Sequence, residues 1–252
     1  MAAGRRAALI TGASYGVGAA TALALAREGF DVAITATKIE NLAATQRSVE
    51  ALGTRVVPAA LDLRDAPSIA AKVSEIIAAL GGLDALVNNA GANLRKSATE
   101  VTAQDWDAVM DVNLRGTFFL TQEAGRHLIA AGRGGCIVNV ASTYALIGAP
   151  ERSTYGISKA ALVGMTRMLA VEWASNGIRV NAVAPGRLVT ASPSRAEKGA
   201  DPAYMAAMLE RIPLHRQATA EEVAATIAYL ASPAAAAMTG QLLVLDGGLT
   251  AV

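Results

Sequence analysis

The sequence predicts a doubly wound α/β domain: a parallel sheet of about seven strands with helices on both faces. Three observations predict it. Short β-branched or apolar runs alternate along the whole chain with longer segments of helical period, which is the pattern of βαβ units. The first apolar run ends in a glycine-rich turn that opens an alanine-rich helix. The 252 residues are 53% hydrophobic, enough for one large core, and no Pro/Gly/Ser-rich linker divides them. One domain spanning residues 1–252 is therefore expected.

In chain order, the strand candidates are residues 7–10, 32–35, 56–61, 85–87, 137–140, 179–183 and 242–245, with helices between them. Two helix starts carry capping boxes, Thr102 with Asp105 and Thr219 with Glu222. In each box one side chain reaches the other residue's free backbone N–H. The stretch 187–203, rich in Ser, Pro, Arg, Gly and Asp, has no clear period. Long aperiodic segments inside compact domains often cover a site, so a substrate lid is expected around 187–213.

Charge and composition exclude several classes. Lys and Arg number 22 against 21 Asp and Glu, a net charge of +1, without the clustered basic stripe that nucleic-acid binding needs. Mean hydropathy is +0.36, yet no apolar stretch approaches the roughly 18 to 20 residues of a membrane span. The apolar run after Arg5-Arg6 stops at Thr11-Gly12 with no cleavage-site pattern and reads as a strand. The single Cys136 lies in an apolar run and reads as a buried, inert thiol, which fits a reducing cytoplasm. His127 and His215 have no Cys, His or Glu cluster at ligand spacing, so no metal is expected.

Tyr155 and Lys159 stand one helical turn apart, with Ser142 upstream at the end of an apolar run. A phenol, with an unperturbed pKa of about 10, is a poor proton donor or acceptor near neutrality unless a cation favours the phenolate. Residues at i and i+4 share a helix face, so Lys159 can be that cation. A solvated amphipathic face would give the same spacing. The turn after the first strand contains Gly12, Ser14, Tyr15, Gly16, Val17 and Gly18, spaced Gly-x-x-x-Gly-x-Gly. Small residues there let a pyrophosphate approach the backbone and the helix N-terminus. Asp62-Leu63 and Asn88-Asn89-Ala90-Gly91 follow two further strands, at the carboxyl edge where such sheets bind ligands. Asn88 reads equally well as a brace between strands. Ser142 lacks the paired histidine and elbow of a hydrolase.

Thr11 to Gly18, Asn88 to Gly91, Asn113, Ser142, Tyr155, Lys159 and Pro185-Gly186 together resemble the short-chain dehydrogenase/reductase family over essentially the whole chain. The resemblance implies a Rossmann-type fold, a nicotinamide dinucleotide, and a catalytic set of Asn113, Ser142, Tyr155 and Lys159. It also places Asp62 and Leu63 near the adenine, Asn89, Ala90 and Gly91 along the adenine ribose side, and Leu188 and Thr190 by the nicotinamide carboxamide. In this reading Tyr155 exchanges a proton with the substrate oxygen and Ser142 hydrogen-bonds that oxygen. Lys159 also holds the nicotinamide ribose, and Asn113 positions a water. Asn113 could instead simply bond neighbouring backbone.

NAD selection generally uses an acid at the end of the second strand. Here Thr37 and Lys38 stand instead, a hydrogen-bond donor and a cation suited to the 2′-phosphate of NADP. NADP is favoured over NAD. Tyr15, where many NADPH-preferring relatives carry a cation, argues the other way. The segments facing the nicotinamide contain Asn93, Arg95, Lys96, Tyr144, Arg152, Arg187 and Arg195. An anionic keto or hydroxy acid is one reading, with Arg187 the best clamp, and solvated loop charge is the other. The sequence is also similar to 3-oxoacyl-acyl-carrier-protein reductases. Arg126 and Arg167 could join a carrier-docking patch, whereas Val171 and Glu172 do not strengthen one. A non-catalytic dinucleotide-sensing protein is a third possibility, disfavoured by the intact Ser142, Tyr155 and Lys159. The family usually forms tetramers, so a homotetramer is expected through the helices of Asn113 and Tyr155 and the C-terminal segment.

Overall fold

The computed structural model describes residues 5–189 and 202–251, apart from the side chains of 202–205. The seven expected strands form one parallel sheet. They are β1 (Arg6–Ile10), β2 (Phe30–Ala36), β3 (Val56–Ala60), β4 (Ala85–Asn88), β5 (Gly135–Val140), β6 (Ile178–Pro185) and, last in the chain, β9 (Leu242–Leu245). Their spatial order is β3-β2-β1-β4-β5-β6-β9. The chain first builds outward from β1 to β3, then returns to lay β4 against β1. That reversal opens a crevice at the carboxyl ends of β1 and β4, where ligands bind in open parallel sheets.

Side-chain alternation divides the interior into two cores. Ala8 and Ile10 of β1 face one side with Val32, Ile34 and Val138, and Leu9 faces the other with Leu86, Ile137 and Val180. The first side is closed by α1 (Gly16–Arg27), α2 (Ala43–Glu50) and α8 (Ala220–Ala231), through Leu25, Val49 and Ile227. The second is closed by α3 (Ala66–Leu80), α5 (Thr117–Ala131) and α6 (Ser153–Glu172), through Val73, Leu128 and Leu169. Truncating any one of these buried leucines to alanine costs about 2–5 kcal/mol. Trp173 and Cys136 belong to these cores, and burial pushes the Cys136 thiol up to about 11.

Both capping boxes form, at α4 (Ala103–Met110) and at α8. Asp105 and Glu222 are both held down at about 2, mainly by hydrogen bonds from Lys96 and Arg216 respectively. Between α4 and α5 the helix widens into a π turn, Asp111–Gly116. A π turn shifts the backbone ladder by one residue, and here the Thr117 hydroxyl donates to the Val112 carbonyl at 2.9 Å. Gly116 lies so close to Leu63 that a Cβ would fall 1.9 Å from its carbonyl oxygen. Of the expected lid, 187–213, residues 190–201 lie outside the described residues. β7 (Leu188–Val189) pairs with β8 (Ala218–Thr219), and α7 spans Pro202–Glu210. No helix among the described residues is long and apolar enough to cross a membrane.

Candidate active site

Tyr155 and Lys159 project from the first turns of α6 beside the end of β5. Lys159 is 4% exposed, and its Nζ donates to the Val140 carbonyl at 2.8 Å. The same nitrogen lies 5.8 Å from the Tyr155 ring centroid. Burial pushes the Lys159 ammonium down to about 8. Ser142 caps the short turn Thr143–Ala145, its Oγ accepting from the Tyr144 N–H at 3.2 Å. Its own hydrogen has no acceptor among the described residues. The Tyr144 ring meets the Tyr155 ring edge to face, with centroids 6.2 Å apart.

Asn113 sits in the π turn, 1% exposed. Its Nδ2 donates to the Ala92 carbonyl and to the Ser158 Oγ, each at 2.9 Å, and its Oδ1 accepts from the Ala92 N–H at 2.7 Å. Ser158 in turn donates to the Tyr155 carbonyl at 2.7 Å. Both amide hydrogens of Asn113 are therefore bound to protein. The side chain ties the loop after β4 to the helix that carries the tyrosine.

The glycine turn is shaped by close approach. Gly12 and Gly16 adopt φ of +65° and +60°. A Cβ on Gly18 would lie 2.3 Å from the Gly12 carbonyl oxygen, so only glycine fits the start of α1. Thr11 and Asn89 hold this turn from below: the Thr11 hydroxyl accepts from the Asn89 and Ala90 N–H groups, both at 3.0 Å. The Asn89 amide donates to the Thr11 and Gly12 carbonyls at 3.0 and 2.9 Å. Asn89 was expected along the ribose, but its amide group braces the turn. Thr45, on α2, donates to the Ala13 carbonyl at 2.8 Å from the other side. Sequence reasoning gave Thr11 and Thr45 no role, and a lone hydroxyl on a helix carries no signal that could have found Thr45.

The other expected positions fall around this crevice. Gly91 stands against the catalytic cluster, where a Cβ would come within 3.3 Å of Asn113 Oδ1 and 3.5 Å of Lys159 Nζ. Thr37, Lys38 and Tyr15 are exposed just beyond β2 and β1, and Ser14 is half-buried between Ala13 and Tyr15. The Arg64 guanidinium hydrogen-bonds Asp62, with a shortest contact of 2.6 Å, and holds its carboxyl below the usual range. Val17 and Leu63 are buried in the two cores, so any ligand contact would come from their backbone. Asn88 is a brace, donating to Thr121 at 2.7 Å and Asn139 at 2.8 Å. Pro185 ends β6, the Gly186 N–H donates to the Leu245 carbonyl at 2.9 Å, and Leu188 packs on the first core. Thr190 and Arg195 lie outside the described residues.

The cationic loops are less uniformly cationic than their sequence. Arg95 pairs with Glu151, and Lys96 pairs with Asp105 at 2.6 Å. Arg152 donates to Asn93 Oδ1 at 2.7 Å and to the Leu94 carbonyl at 3.3 Å, with its guanidinium 5.9 Å from the Tyr144 ring centre. Arg187 is exposed after β6. No group of three metal-ligating side chains occurs among the described residues. The glycine cradle at the start of α1, exposed Gly91 and the buried lysine are residues that would suit a dinucleotide.

A family model described as enoyl-(acyl carrier protein) reductase matches residues 12–250. The chain is 38% identical over 241 residues to a 2-dehydro-3-deoxy-D-gluconate 5-dehydrogenase of Escherichia coli (strain K12), covering 96% of this chain and 94% of that one. It is 41% identical over 242 residues to a 3-oxoacyl-[acyl-carrier-protein] reductase of Thermotoga maritima, covering 96% of each. A solved structure from Agrobacterium tumefaciens, described as a 2-deoxy-D-gluconate 3-dehydrogenase with bound NADP, superposes with a TM-score of 0.89 at 38% identity, covering 98% and 97% of the two chains. Matched over nearly its full length and carrying the serine, tyrosine and lysine at one sheet edge, the chain belongs to the short-chain dehydrogenase/reductase family of oxidoreductases.

Proposed function

We propose that the protein interconverts a carbonyl and a secondary alcohol with NADP. The observation that carries this reading is the cluster of Ser142, Tyr155 and buried Lys159 at the crevice of the sheet. When bound, the dinucleotide supplies or accepts the hydride. In reduction Tyr155 donates its phenolic proton to the substrate oxygen, and in oxidation its phenolate takes the alcohol proton. The uncommitted hydrogen of Ser142 is directed to the same oxygen, where negative charge grows in the transition state. Lys159 holds a positive charge beside the phenol below about pH 8. Asn113 keeps Gly91 and α6 in register through Ala92 and Ser158.

Exposed Thr37 and Lys38, together with the relative solved with NADP, support NADP over NAD. Reduction of an acyl thioester on a carrier protein is the second reading, favoured by the Thermotoga maritima relative. An apolar groove between α5 and α6, lined by Phe118, Phe119, Ile129, Met165, Met168 and Trp173, supports a homo-oligomer closing over these helices. A lid over the site is proposed for 187–213, of which 190–201 lie outside the described residues, and a reducing cytoplasm suits the buried thiol. Initial rates on neutral ketones, keto acids, polyols and acyl thioesters, each with NADPH and NADH or their oxidised forms, test the reading. Turnover of a carbonyl or alcohol with NADP preferred is expected; dinucleotide binding without turnover on any class overturns it.

A further inference from the structure

The geometry points to Arg152 as the residue that reads a negative charge on the substrate, at a point several bonds from the reacting carbon. This rests on the oxidoreductase reading above and deepens it. Arg152, Tyr155 and Lys159 follow one another at i, i+3 and i+7 and so form a single line along the start of α6. Lys159 is at the buried end of that line, Tyr155 is in the middle, and half-buried Arg152 is at the mouth. The Tyr144 ring stands beside both polar side chains nearer the mouth, edge to face with Tyr155 and 5.9 Å from the Arg152 guanidinium.

What distinguishes Arg152 is that its charge is unmatched. Its two hydrogen bonds, to Asn93 Oδ1 and the Leu94 carbonyl, both leave from Nη1 and end on neutral oxygens. Among the described residues it makes no ion pair, and its Nε and Nη2 make no hydrogen bond. The neighbouring cations differ: Arg95 and Lys96 are matched by Glu151 and Asp105. The one carboxylate adjacent in sequence is turned away. Glu151 adopts φ of +61°, a left-handed conformation that is strained for a non-glycine residue. Its carbonyl accepts from the Lys96 N–H at 3.0 Å while its carboxylate pairs with Arg95. The strained residue thus fastens the two loops together and leaves the Arg152 fork, beside the Tyr144 ring, with its Nε and Nη2 donors to offer. A planar fork with adjacent donors matches a carboxylate.

Because the fork stands at the helix start, a turn before Tyr155, and both flank the Tyr144 ring, the preferred substrate is a keto or hydroxy acid whose carboxylate lies away from the reacting carbon, as in a sugar acid, and not a 2-keto acid. Tying Asn93 does not require charge, which makes Arg152→Gln the informative variant, because its amide can still donate to Asn93. With the full chain and NADPH, kcat/KM is measured for levulinate against levulinamide and for pyruvate against pyruvamide. In parallel, the melting temperature of the NADP-loaded protein is recorded with gluconate and with sorbitol. Levulinate should be preferred over its amide, and that preference should fall about ten- to a hundredfold in Arg152→Gln but survive in part in Arg152→Lys. Gluconate should raise the melting temperature more than sorbitol does, and only while the cation is present. NADPH affinity near the wild-type value shows that the variant is folded. An unchanged carboxylate preference in Arg152→Gln, or ketone turnover by the wild type with no such preference, overturns the inference and leaves the oxidoreductase reading standing. Absence of all turnover with a gluconate shift that depends on Arg152 overturns the oxidoreductase reading and leaves the anion site.

Discussion

The ammonium nitrogen of Lys159 stands 5.8 Å from the centre of the Tyr155 ring while it donates to the Val140 carbonyl at 2.8 Å. The strand end thus fixes the cation, and the cation accompanies the phenol. If Tyr155 is the proton donor, Tyr155→Phe removes one oxygen and leaves the ring against Tyr144. Turnover should fall by about 10²–10⁴-fold, with the NADPH dissociation constant within a few-fold of wild type. Steady-state rates and a fluorescence titration check both halves, and retained activity refutes the assignment.

Burial of the Lys159 charge has a signature in stability. Its pKa falls from the ordinary 10.5 to about 8 in the folded chain. Between those values the unfolded chain holds a proton that the folded chain has released, so stability rises with pH across this window and is lower below it. The difference amounts to about 3 kcal/mol. Urea unfolding of the cofactor-free protein should therefore show wild type gaining on Lys159→Met as pH climbs from about 8 to above 10. A flat difference would mean that the ammonium is solvated.

Gly18→Ala places a Cβ 2.3 Å from the Gly12 carbonyl oxygen and 2.6 Å from the Asn89 amide nitrogen. Neither neighbour can give way without moving the turn. NADPH affinity should fall by at least about tenfold and the melting temperature should drop with it. Titration and a thermal melt on the same preparation would show whether the two losses occur together.

Cofactor choice is tested at the end of β2. Thr37→Asp introduces the carboxylate that would hydrogen-bond a ribose 2′-hydroxyl and repel a 2′-phosphate. The ratio of kcat/KM for NADPH over NADH should move towards NADH by about tenfold or more, and Lys38→Ala should weaken NADPH alone. A clear NADH preference in the wild type would contradict the case from Thr37 and Lys38.

All seven sheet strands were legible because buried parallel strands are short apolar runs punctuated by turns, and each was located within two residues at either end. The capping boxes were equally legible, being contacts between residues three apart. What escaped was set by tertiary contact. Nothing in Val112-Asn113-Leu114 signals a π turn, because that turn depends on Leu63 pressing on Gly116 and on Thr117 reaching Val112. The five cations of the substrate loops left an anion clamp and solvated loop charge both open, since sequence cannot show that Glu151 and Asp105 fold back onto Arg95 and Lys96. Arg187, the expected clamp from its place after Pro185-Gly186, is exposed just beyond β6. Nor could sequence show that the Asn89 amide, beside the ribose role the resemblance implies, braces the glycine turn.

The π turn at Asp111–Gly116 also limits how this region can change in evolution. Each residue of a regular helix advances the chain by about 100°. A π turn holds one residue more than the α turn it replaces, so deleting one residue there would restore an unbroken helix and leave α5 on its present face, while the widened turn that brings Asn113 to Ala92 and Ser158 would be lost. The same deletion within α4 or α5 would swing everything beyond it by roughly that angle. A single-codon deletion inside the π turn would therefore spare the fold and remove the brace, whereas one elsewhere along this helix would have to be matched by a compensating insertion nearby.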